Sequence, residues 1–356
     1  EKDLKVGRQG LFAGKVGVFN NKKQLAHPDY ELIPDGSDVD TAVEGFAGKF
    51  LPVYPASSKL PSWKISQCAQ LAIGALDDIV DFLPDEIREQ HKYPTMHQAL
   101  VQLHQPADLD HAEMARERLT FDEAFLLQSL LVMRRNQLKK LNSTSRKRVS
   151  GGLLDAFDKS LPFELTAGQI AVCKEIESDL AQPHPMHRLL QGEVGSGKTI
   201  VALRAMLAVV DSGGQAALLA PTEVLAAQHL RTIQKQLGTL AQGGMLGGSD
   251  AGTQVTLITG SQSAQARREA LAMAADGTAG IVIGTHALLG ESVVFKDLGL
   301  IVVDEQHRFG VEQRDALRDK AREPAHVLVM TATPIPRTVA MTIFGDLDVS
   351  TLKDMP

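Results

Sequence analysis

One stretch of the chain has residue types and spacing suited to holding phosphate groups: Gly192-Glu193-Val194-Gly195-Ser196-Gly197-Lys198-Thr199. It fits the pattern G-x-x-x-x-G-K-[ST] of phosphate-binding loops. Glycines let backbone N–H groups curl around phosphate oxygens, because no Cβ stands in the way. Lys198 can reach the β- and γ-phosphates of ATP, and the Thr199 hydroxyl can ligate Mg²⁺. The motif therefore predicts these ligand-binding residues: Gly192, Gly195, Ser196, Gly197, Lys198 and Thr199.

The flanks of this loop supply the context that the motif requires. The apolar run Arg188-Leu189-Leu190-Gln191 is typical of a short buried strand, and residues 199–210 are typical of a helix. The amino end of a helix adds partial positive charge where phosphate would lie. A glycine-rich loop that occurs by chance is the alternative, but it does not explain the strand, the helix and the Lys-Thr pair together.

A second motif, Leu300-Ile301-Val302-Val303-Asp304-Glu305-Gln306-His307, ends an apolar strand in two acids. Asp304 is predicted to hold Mg²⁺, directly or through water, as the partner of Thr199. Glu305 is predicted to polarise the attacking water as general base. The catalytic set is therefore Lys198, Asp304 and Glu305. A plain strand terminus is the alternative, but burying two acids without a metal would be costly.

Hydroxyl-bearing residues follow three further candidate strands. Thr331-Ala332-Thr333-Pro334-Ile335-Pro336-Arg337-Thr338 could bond the acidic pair and sense the γ-phosphate. Residues 220–223 and 284–289 could bind phosphates of a nucleic-acid backbone, and an ordinary strand-end loop is the alternative for all three segments. The nucleic-acid contacts predicted there are Pro221, Thr222, Thr285 and His286.

A further pair of polar residues, Thr166 and Gln169, precedes the phosphate loop by about twenty positions. Thr166 can cap the helix that follows it. The Gln169 amide offers both a donor and an acceptor and could read the edge of an adenine. A capped helix start would explain the same pattern, so both interpretations stay open.

The elements that must position these residues alternate between strand and helix from residue 151 onward. Such alternation predicts an α/β fold with a parallel sheet between two layers of helices. The candidate strands are short apolar runs, as expected for strands buried on both faces, and ligands bind outside their carboxyl ends. They are Leu189-Leu190, Ala216–Ala220, Val255–Ile258, Ile281–Gly284, Leu300–Val303 and Val327–Met330.

The preceding residues divide into two further regions. Residues 1–46 indicate short strands with a hairpin turn at Asn20-Asn21, and residues 47–150 indicate a mainly helical block. Within that block Ser66 and Thr95 are predicted to begin helices, and the longest helix is expected near 110–141. The predicted domains are therefore 1–46, 47–150 and 151–356.

The composition and net charge of the chain argue for some classes of function and against others. The 356 residues carry a formal net charge of −6, whereas a DNA-binding domain often has a pI above ~9. Two local clusters are nevertheless basic, near residues 2–23 and 134–148, and each is a solvated face or a nucleic-acid contact.

Two cysteines, predicted to be buried thiols, favour a reducing cytoplasm. No apolar run reaches ~18 residues, so no membrane partner is expected. Both ends lack the features of natural termini, and a fragment is expected.

Together the motifs resemble superfamily 2 helicases: Thr166 and Gln169, then residues 192–199, 220–223, 258–261, 284–289, 304–307 and 331–338. The run DEQHRFGVEQR (304–314) with TATPIPRT is similar to the RecG family of branched-DNA helicases. Transcription–repair coupling translocases are the nearest rival, but they typically carry phenylalanine in place of Ser196 and glutamate in place of Gln306. Upstream, residues 27–30 and 51–55 resemble the end of the RecG wedge and the junction that follows it. Glu193 and Gly168 depart from the family's usual Asp and Ala.

This resemblance implies a RecA-like P-loop domain, the first helicase lobe, preceded by part of an OB-fold wedge and a helical brace. It implies ATP and Mg²⁺ as cofactors, and DNA-repair activity on branched or duplex DNA. Residues that couple nucleotide state to DNA would be Gln306, His307, Thr331, Thr333 and Arg337. The family's second lobe, which supplies arginine fingers, is not found in these residues.

Further expectations follow from the same resemblance. A single-stranded DNA-binding protein is an expected partner, and the bacterial cytoplasm with the nucleoid is the expected location. A regulatory ATP-binding module that does not move DNA is a rival from another functional class. Polarity, preferred junction and oligomeric state do not follow from the sequence.

Overall fold

The computed structural model describes residues 6–7, 9–25, 29–32, 50, 52–57, 59–60, 62–77, 79–245, 248–249, 252–304, 317–332 and 347–353. The chain forms two compact units, Glu1–Leu126 and Leu127–Pro356. The predicted boundaries near residues 46 and 150 remain predictions. No helix within the described ranges is both long and apolar enough to span a bilayer.

Four short strands open the first unit: β1 (Gly10–Ala13), β2 (Val16–Phe19), β3 (Lys22–Leu25) and β4 (Asp29–Leu32). β1 pairs antiparallel with β4, and β2 pairs antiparallel with β3. Asn20 and Asn21 join β2 to β3 with φ angles of 48° and 57°. A two-residue hairpin turn needs this left-handed conformation, which asparagine tolerates. The predicted turn is therefore confirmed.

Helices follow: α1 (Ser62–Gly74), α2 (Asp85–His91), α3 (Met96–His104) and α4 (Leu109–Lys139). Thr95 caps α3 as predicted, and Gln98 completes a capping box with it. The prediction that Ser66 begins a helix is wrong, because α1 already starts at Ser62. Cys68 on α1 is exposed, contrary to the expectation of two buried thiols, whereas Cys173 is buried.

A buried arginine ties the loop before α3 to α4. The side chain of Arg118 is fully buried and pairs with Asp81 at 2.6 Å and with Asp122 at 2.8 Å. It also donates a hydrogen bond of 2.7 Å to the carbonyl of Pro94. Burying a guanidinium group is costly unless its donors are used, so this network holds the loop in one arrangement.

The second unit is a parallel α/β domain, as the alternation predicts. Its helices are α5 (Leu153–Ser160), α6 (Ala167–Leu180), α7 (Lys198–Asp211), α8 (Glu223–Leu237) and α9 (Ala264–Asp276). Its strands are β5 (His187–Gly192), β6 (Gln215–Leu219), β7 (Gln254–Ile258), β8 (Ala279–Gly284), β9 (Leu298–Asp304), β10 (His326–Thr331) and β11 (Asp348–Leu352). All six candidate strands are present, and β11 is an addition that the sequence did not indicate.

These strands form one seven-stranded sheet in the order β11-β5-β10-β9-β6-β8-β7. Every neighbouring pair is parallel, so all seven carboxyl ends meet at one edge. Alternating side chains pack against helices on opposite faces. In β5, Leu190 belongs to the buried cluster on one face and Leu189 to that on the other. The first cluster encloses α7, whose residues from Ile200 to Val209 are all buried.

A histidine is buried at the opposite edge, where β10 begins. His326 is fully buried, its Nδ1 accepts a hydrogen bond from the Met186 N–H at 3.0 Å, and its Nε2 donates to the Thr144 carbonyl at 3.2 Å. Both bonds fit a neutral ring. Burial lowers the pKa of His326 to about 4, whereas an unfolded histidine has a pKa of about 6.5.

This shift predicts acid sensitivity of the second unit. Between about pH 6.5 and pH 4 the unfolded chain takes up a proton at His326 that the folded chain does not, so the free energy of unfolding falls as pH falls. The loss from this group is at most about 3 kcal/mol. Urea unfolding of His326→Asn should show a flatter pH dependence than wild type in this window. His91→Asn, an exposed control, should keep the wild-type slope, and equal slopes for all three proteins would contradict the prediction.

Candidate functional site

Three neighbouring strands bring the predicted nucleotide-binding motifs to one edge of the sheet. β5 leads into the phosphate loop, and the adjacent β10 and β9 end at Thr331 and Asp304. Thr331 lies beside Gln191 in the register, and Met330 lies beside Asp304. The loop, Thr331 and Asp304 are therefore placed side by side by backbone pairing, although they are far apart in sequence.

Close approach explains two glycines of the phosphate loop. A Cβ on Gly192 would lie 2.6 Å from the Oγ of Ser196 and 3.0 Å from the Cβ of Leu352. Gly197 has a φ of +86°, and a Cβ there would lie 2.3 Å from the Nε2 of Gln169. Any larger residue would force the loop away from these neighbours. The loop shape therefore depends on glycine at both positions.

The donors of the loop fit a phosphate group. Ser196 is 1% exposed, and its Oγ has no hydrogen-bond partner among the described residues. The Nζ of Lys198 donates to the carbonyls of Gly192 and Glu193, both at 2.8 Å. Lys198 is also the first residue of α7, and Thr199 follows it. A hydroxyl, an ammonium group and a helix amino end thus converge on one small loop, which suits an anion.

The pair before the loop braces it. Thr166 Oγ1 accepts from the Gln169 N–H at 3.2 Å, and Gln169 Oε1 accepts from the Thr166 N–H at 3.0 Å, which confirms the predicted helix cap. The Nε2 of Gln169 donates to the carbonyl of Ser196 at 3.0 Å, and Gln169 is 2% exposed. The amide therefore links the start of α6 to the phosphate loop. Recognition of adenine by this pair remains a prediction.

Asp304 has a partner that the sequence did not reveal. The Nε2 of His229, on α8, lies 2.7 Å from Oδ2 of Asp304, and the two side chains are 13% and 15% exposed. The available signal was a histidine on the apolar stripe of α8, near Ala226 and Ile233, both of which are buried.

The remaining predicted residues of these motifs are placed as follows. Thr331 is 4% exposed at the end of β10. Glu305, Gln306, His307, Thr333 and Arg337 lie outside the described residues.

The other half of the sheet edge carries the predicted nucleic-acid contacts. Thr222 caps α8 by accepting from the Leu225 N–H at 3.3 Å, and Pro221 before it is half-buried. Thr285 is 1% exposed and accepts a hydrogen bond of 3.5 Å from the Ala287 N–H. His286, next to it, is exposed. Thr285 thus shapes the turn that presents His286.

Glu223 joins two loops of this half and was not singled out from the sequence. Its Oε1 accepts from the N–H groups of Gly260 and Ser261 at 2.9 and 3.1 Å, and its other oxygen accepts from the Ser261 hydroxyl. The Ser261 hydroxyl and these N–H groups hold the pKa of the Glu223 carboxyl below its usual value, and nearby His286 adds to the effect. The start of α8 and the loop after β7 therefore form one surface.

Several arginines of the basic cluster near residues 134–148 form ion pairs within the chain. Three of its arginines pair within the chain: Arg135 with Asp348, Arg146 with Asp297, and Arg148 with Asp155. The side chain of Arg146 is only 4% exposed. For these three residues a structural role is favoured over contact with nucleic acid.

Comparison with known proteins gives consistent matches. The DEAD/DEAH box helicase family matches residues 166–342. A protein of Mycobacterium bovis named ATP-dependent DNA helicase RecG is 49% identical over 100% of this chain and 51% of its own length. The RecG of Bacillus subtilis is 41% identical over 86% of this chain and 43% of its own length. A solved structure of RecG bound to a three-way DNA junction has a TM-score of 0.68 and 33% identity, covering 100% of this chain and 45% of that one.

The brace between α6 and the phosphate loop generates a prediction. In Gln169→Glu the Oε1 cap is kept, but a carboxylate oxygen replaces the amide that donates to Ser196. Affinity for ATP·Mg²⁺ should fall about tenfold, because a hydrogen bond is lost and a buried carbonyl is left unpaired. A titration with a fluorescent ATP analogue measures this.

Gln98→Glu is the matched control, because Gln98 completes the same capping box in α3. It should keep its helix cap in the same way, and it should leave the nucleotide affinity unchanged. Equal affinities for wild type, Gln169→Glu and Gln98→Glu would contradict the proposed brace.

Proposed function

The chain belongs to the RecG family, and from this we propose that it is part of an ATP-dependent DNA helicase acting on branched DNA. The observation that carries the proposal is the order of the sheet. The predicted nucleotide motifs end β5, β10 and β9, which are contiguous, and the predicted nucleic-acid motifs end β6 and β8, which are also neighbours. Such a domain could bind ATP and DNA on adjoining parts of one edge.

The chain spans about half the length of the curated relatives that it matches, 51% in the case of the Mycobacterium bovis protein. The activity of the whole protein is therefore proposed from the site and from the resemblance. In this proposal residues 151–356 are the first RecA-like lobe. Residues 1–46 contribute to an OB-fold wedge that splits the fork, and residues 47–150 are a helical brace. A second lobe would complete the site with arginine fingers.

The phosphate loop would bind the triphosphate. The Ser196 hydroxyl and the amino end of α7 would hold phosphate oxygens, and the Nζ of Lys198 would exchange its loop carbonyls for the β- and γ-phosphates. Thr199 and Asp304 are the proposed holders of Mg²⁺, because both offer the oxygen ligands that this cation prefers. When bound, Mg²⁺ would neutralise charge on the phosphates.

Proton transfer is assigned to the residue after Asp304. The Glu305 carboxylate would accept the proton of the attacking water as general base. Thr166 and Gln169 would recognise adenine, which requires their present hydrogen bonds to rearrange or to be shared. Gln306, His307, Thr331, Thr333 and Arg337 would couple the state of the nucleotide to DNA.

DNA would contact the half of the edge that follows β6, β8 and β7. Thr222, with Pro221 before it, and His286, presented by Thr285, would face the phosphate backbone, because helix amino ends and hydroxyl groups suit phosphate oxygens. Glu223 holds the neighbouring loop in place from the start of α8. Contacts of this kind position a protein on DNA without reading its sequence, which suits an enzyme that recognises branched structure.

Two further proposals rest on the resemblance alone. A single-stranded DNA-binding protein would be a partner of the intact enzyme. Its place would be the bacterial cytoplasm, in association with the nucleoid.

The proposal predicts that the 356-residue chain by itself binds ATP·Mg²⁺ but hydrolyses it no faster than Lys198→Ala, with or without forked DNA. The reason is that an arginine finger contributes roughly 10³–10⁵ in rate in related NTPases, and the resemblance places it in the second lobe. Nucleotide binding and phosphate release would be measured on the same samples.

Brisk turnover stimulated by forked DNA would contradict the need for a second lobe. An absence of nucleotide binding by wild type, at concentrations where Lys198→Ala also binds none, would contradict the nucleotide site itself.

A further inference from the structure

The partner of Asp304 lies on a helix that the nucleotide motifs do not include. His229 belongs to α8, which follows β6, and Asp304 ends β9. β6 and β9 are neighbours in the sheet, with Leu219 beside Val303. The His229–Asp304 hydrogen bond therefore crosses the border between the two halves of the strand-end edge.

The bond uses one oxygen of the carboxylate. The Nε2–H of His229 donates to Oδ2 of Asp304 at 2.7 Å. Among the described residues, Oδ1 of Asp304 accepts no hydrogen bond. A carboxylate held by one oxygen has a restricted rotation about its Cα–Cβ and Cβ–Cγ bonds, and its other oxygen stays available to a ligand.

The place of His229 on α8 makes this geometry rigid. Ala226 and Ile233, three positions before and four positions after His229, are fully buried, so the face that carries the imidazole is packed against the sheet. The start of α8 is fixed as well, because the carboxylate of Glu223 bonds the loop after β7. The imidazole is thus presented by a helix anchored at two points, and its side chain is only 13% exposed.

We propose that His229 is a positioning residue for Asp304, fixing its carboxylate so that one oxygen can serve the Mg²⁺ that accompanies the nucleotide. This inference rests on the proposed function. It follows the general pattern in which a hydrogen bond from an outer residue orients a metal-binding carboxylate, whose loss typically lowers metal affinity by 10–100-fold.

The test separates binding of nucleotide from binding of the metal. Affinity of the chain for a fluorescent ATP analogue is measured in excess Mg²⁺ and in excess EDTA, and the ratio of the two affinities is the gain due to the metal. His229→Leu fills a similar volume without a donor, and His229→Gln keeps an N–H donor at a similar reach. Gln228→Ala, the exposed neighbour on α8, is the control, and thermal unfolding checks that each variant is folded.

The leucine variant should lose about tenfold of the gain due to Mg²⁺, with no change in EDTA. The glutamine variant should recover most of that gain, and Gln228→Ala should match wild type. His229→Ala replaces the leucine variant if the latter does not fold.

Two outcomes would overturn the proposal: a gain in the leucine variant equal to that of wild type, or an equal loss of affinity in Mg²⁺ and in EDTA, which would indicate a merely structural role. If wild type itself shows no binding under either condition, it is the proposed nucleotide site that fails, and His229 then has no Mg²⁺ to serve.

Discussion

The parallel direction of all seven strands is the constraint on which the site depends. Because parallel neighbours require crossover connections that bring the chain back to the same starting edge, every carboxyl end opens onto the opposite edge, and every motif that follows a strand lies there. The order β11-β5-β10-β9-β6-β8-β7 then decides which motifs are neighbours. In sequence the two groups of motifs are interleaved, because the strands that end at Leu219, Ile258 and Gly284 lie between the phosphate loop and Asp304. The sheet sorts them into one half that carries the predicted nucleotide motifs and another that carries the predicted nucleic-acid motifs.

Rigid packing holds the predicted site in one arrangement. The phosphate loop lies between β5, an inner strand, and α7, whose residues from Ile200 to Val209 are all buried. The loop cannot shift without disturbing this core, and Gln169 fixes it from the side through the carbonyl of Ser196. A preorganised set of donors loses little conformational freedom when an anion binds. On the other side of the border, α8 carries Glu223 and His229 on one helix, so the loop after β7 and the carboxylate of Asp304 share a single support.

Much of this follows from the sequence, for identifiable reasons. The six predicted strands are continuous apolar runs, and the phosphate loop requires a strand before it and a helix after it. The capping box at Thr166 and Gln169 follows from local spacing. β11 was missed because three of its five residues, Asp348, Ser350 and Thr351, are polar. The buried Ser350 is not apolar, and its hydroxyl instead accepts a hydrogen bond from Arg188. Cys68 is exposed because none of the described side chains of α1 is fully buried, which the spacing of apolar residues within the helix does not indicate. His229 was missed because its partner lies 75 residues away in sequence, and a histidine on the apolar stripe of α8 does not by itself identify that partner.

Hydrogen exchange of the backbone amides can test whether the edge formed by β5, β10 and β9 binds ATP·Mg²⁺. Addition of ATP·Mg²⁺ should slow exchange in residues 192–200 and at the carboxyl end of β9, whereas the Lys198→Ala chain should show no such protection. If nucleotide binds and protection appears only at other segments, or if residues 192–200 exchange at the same rate with and without nucleotide, this edge does not bind ATP·Mg²⁺ as proposed.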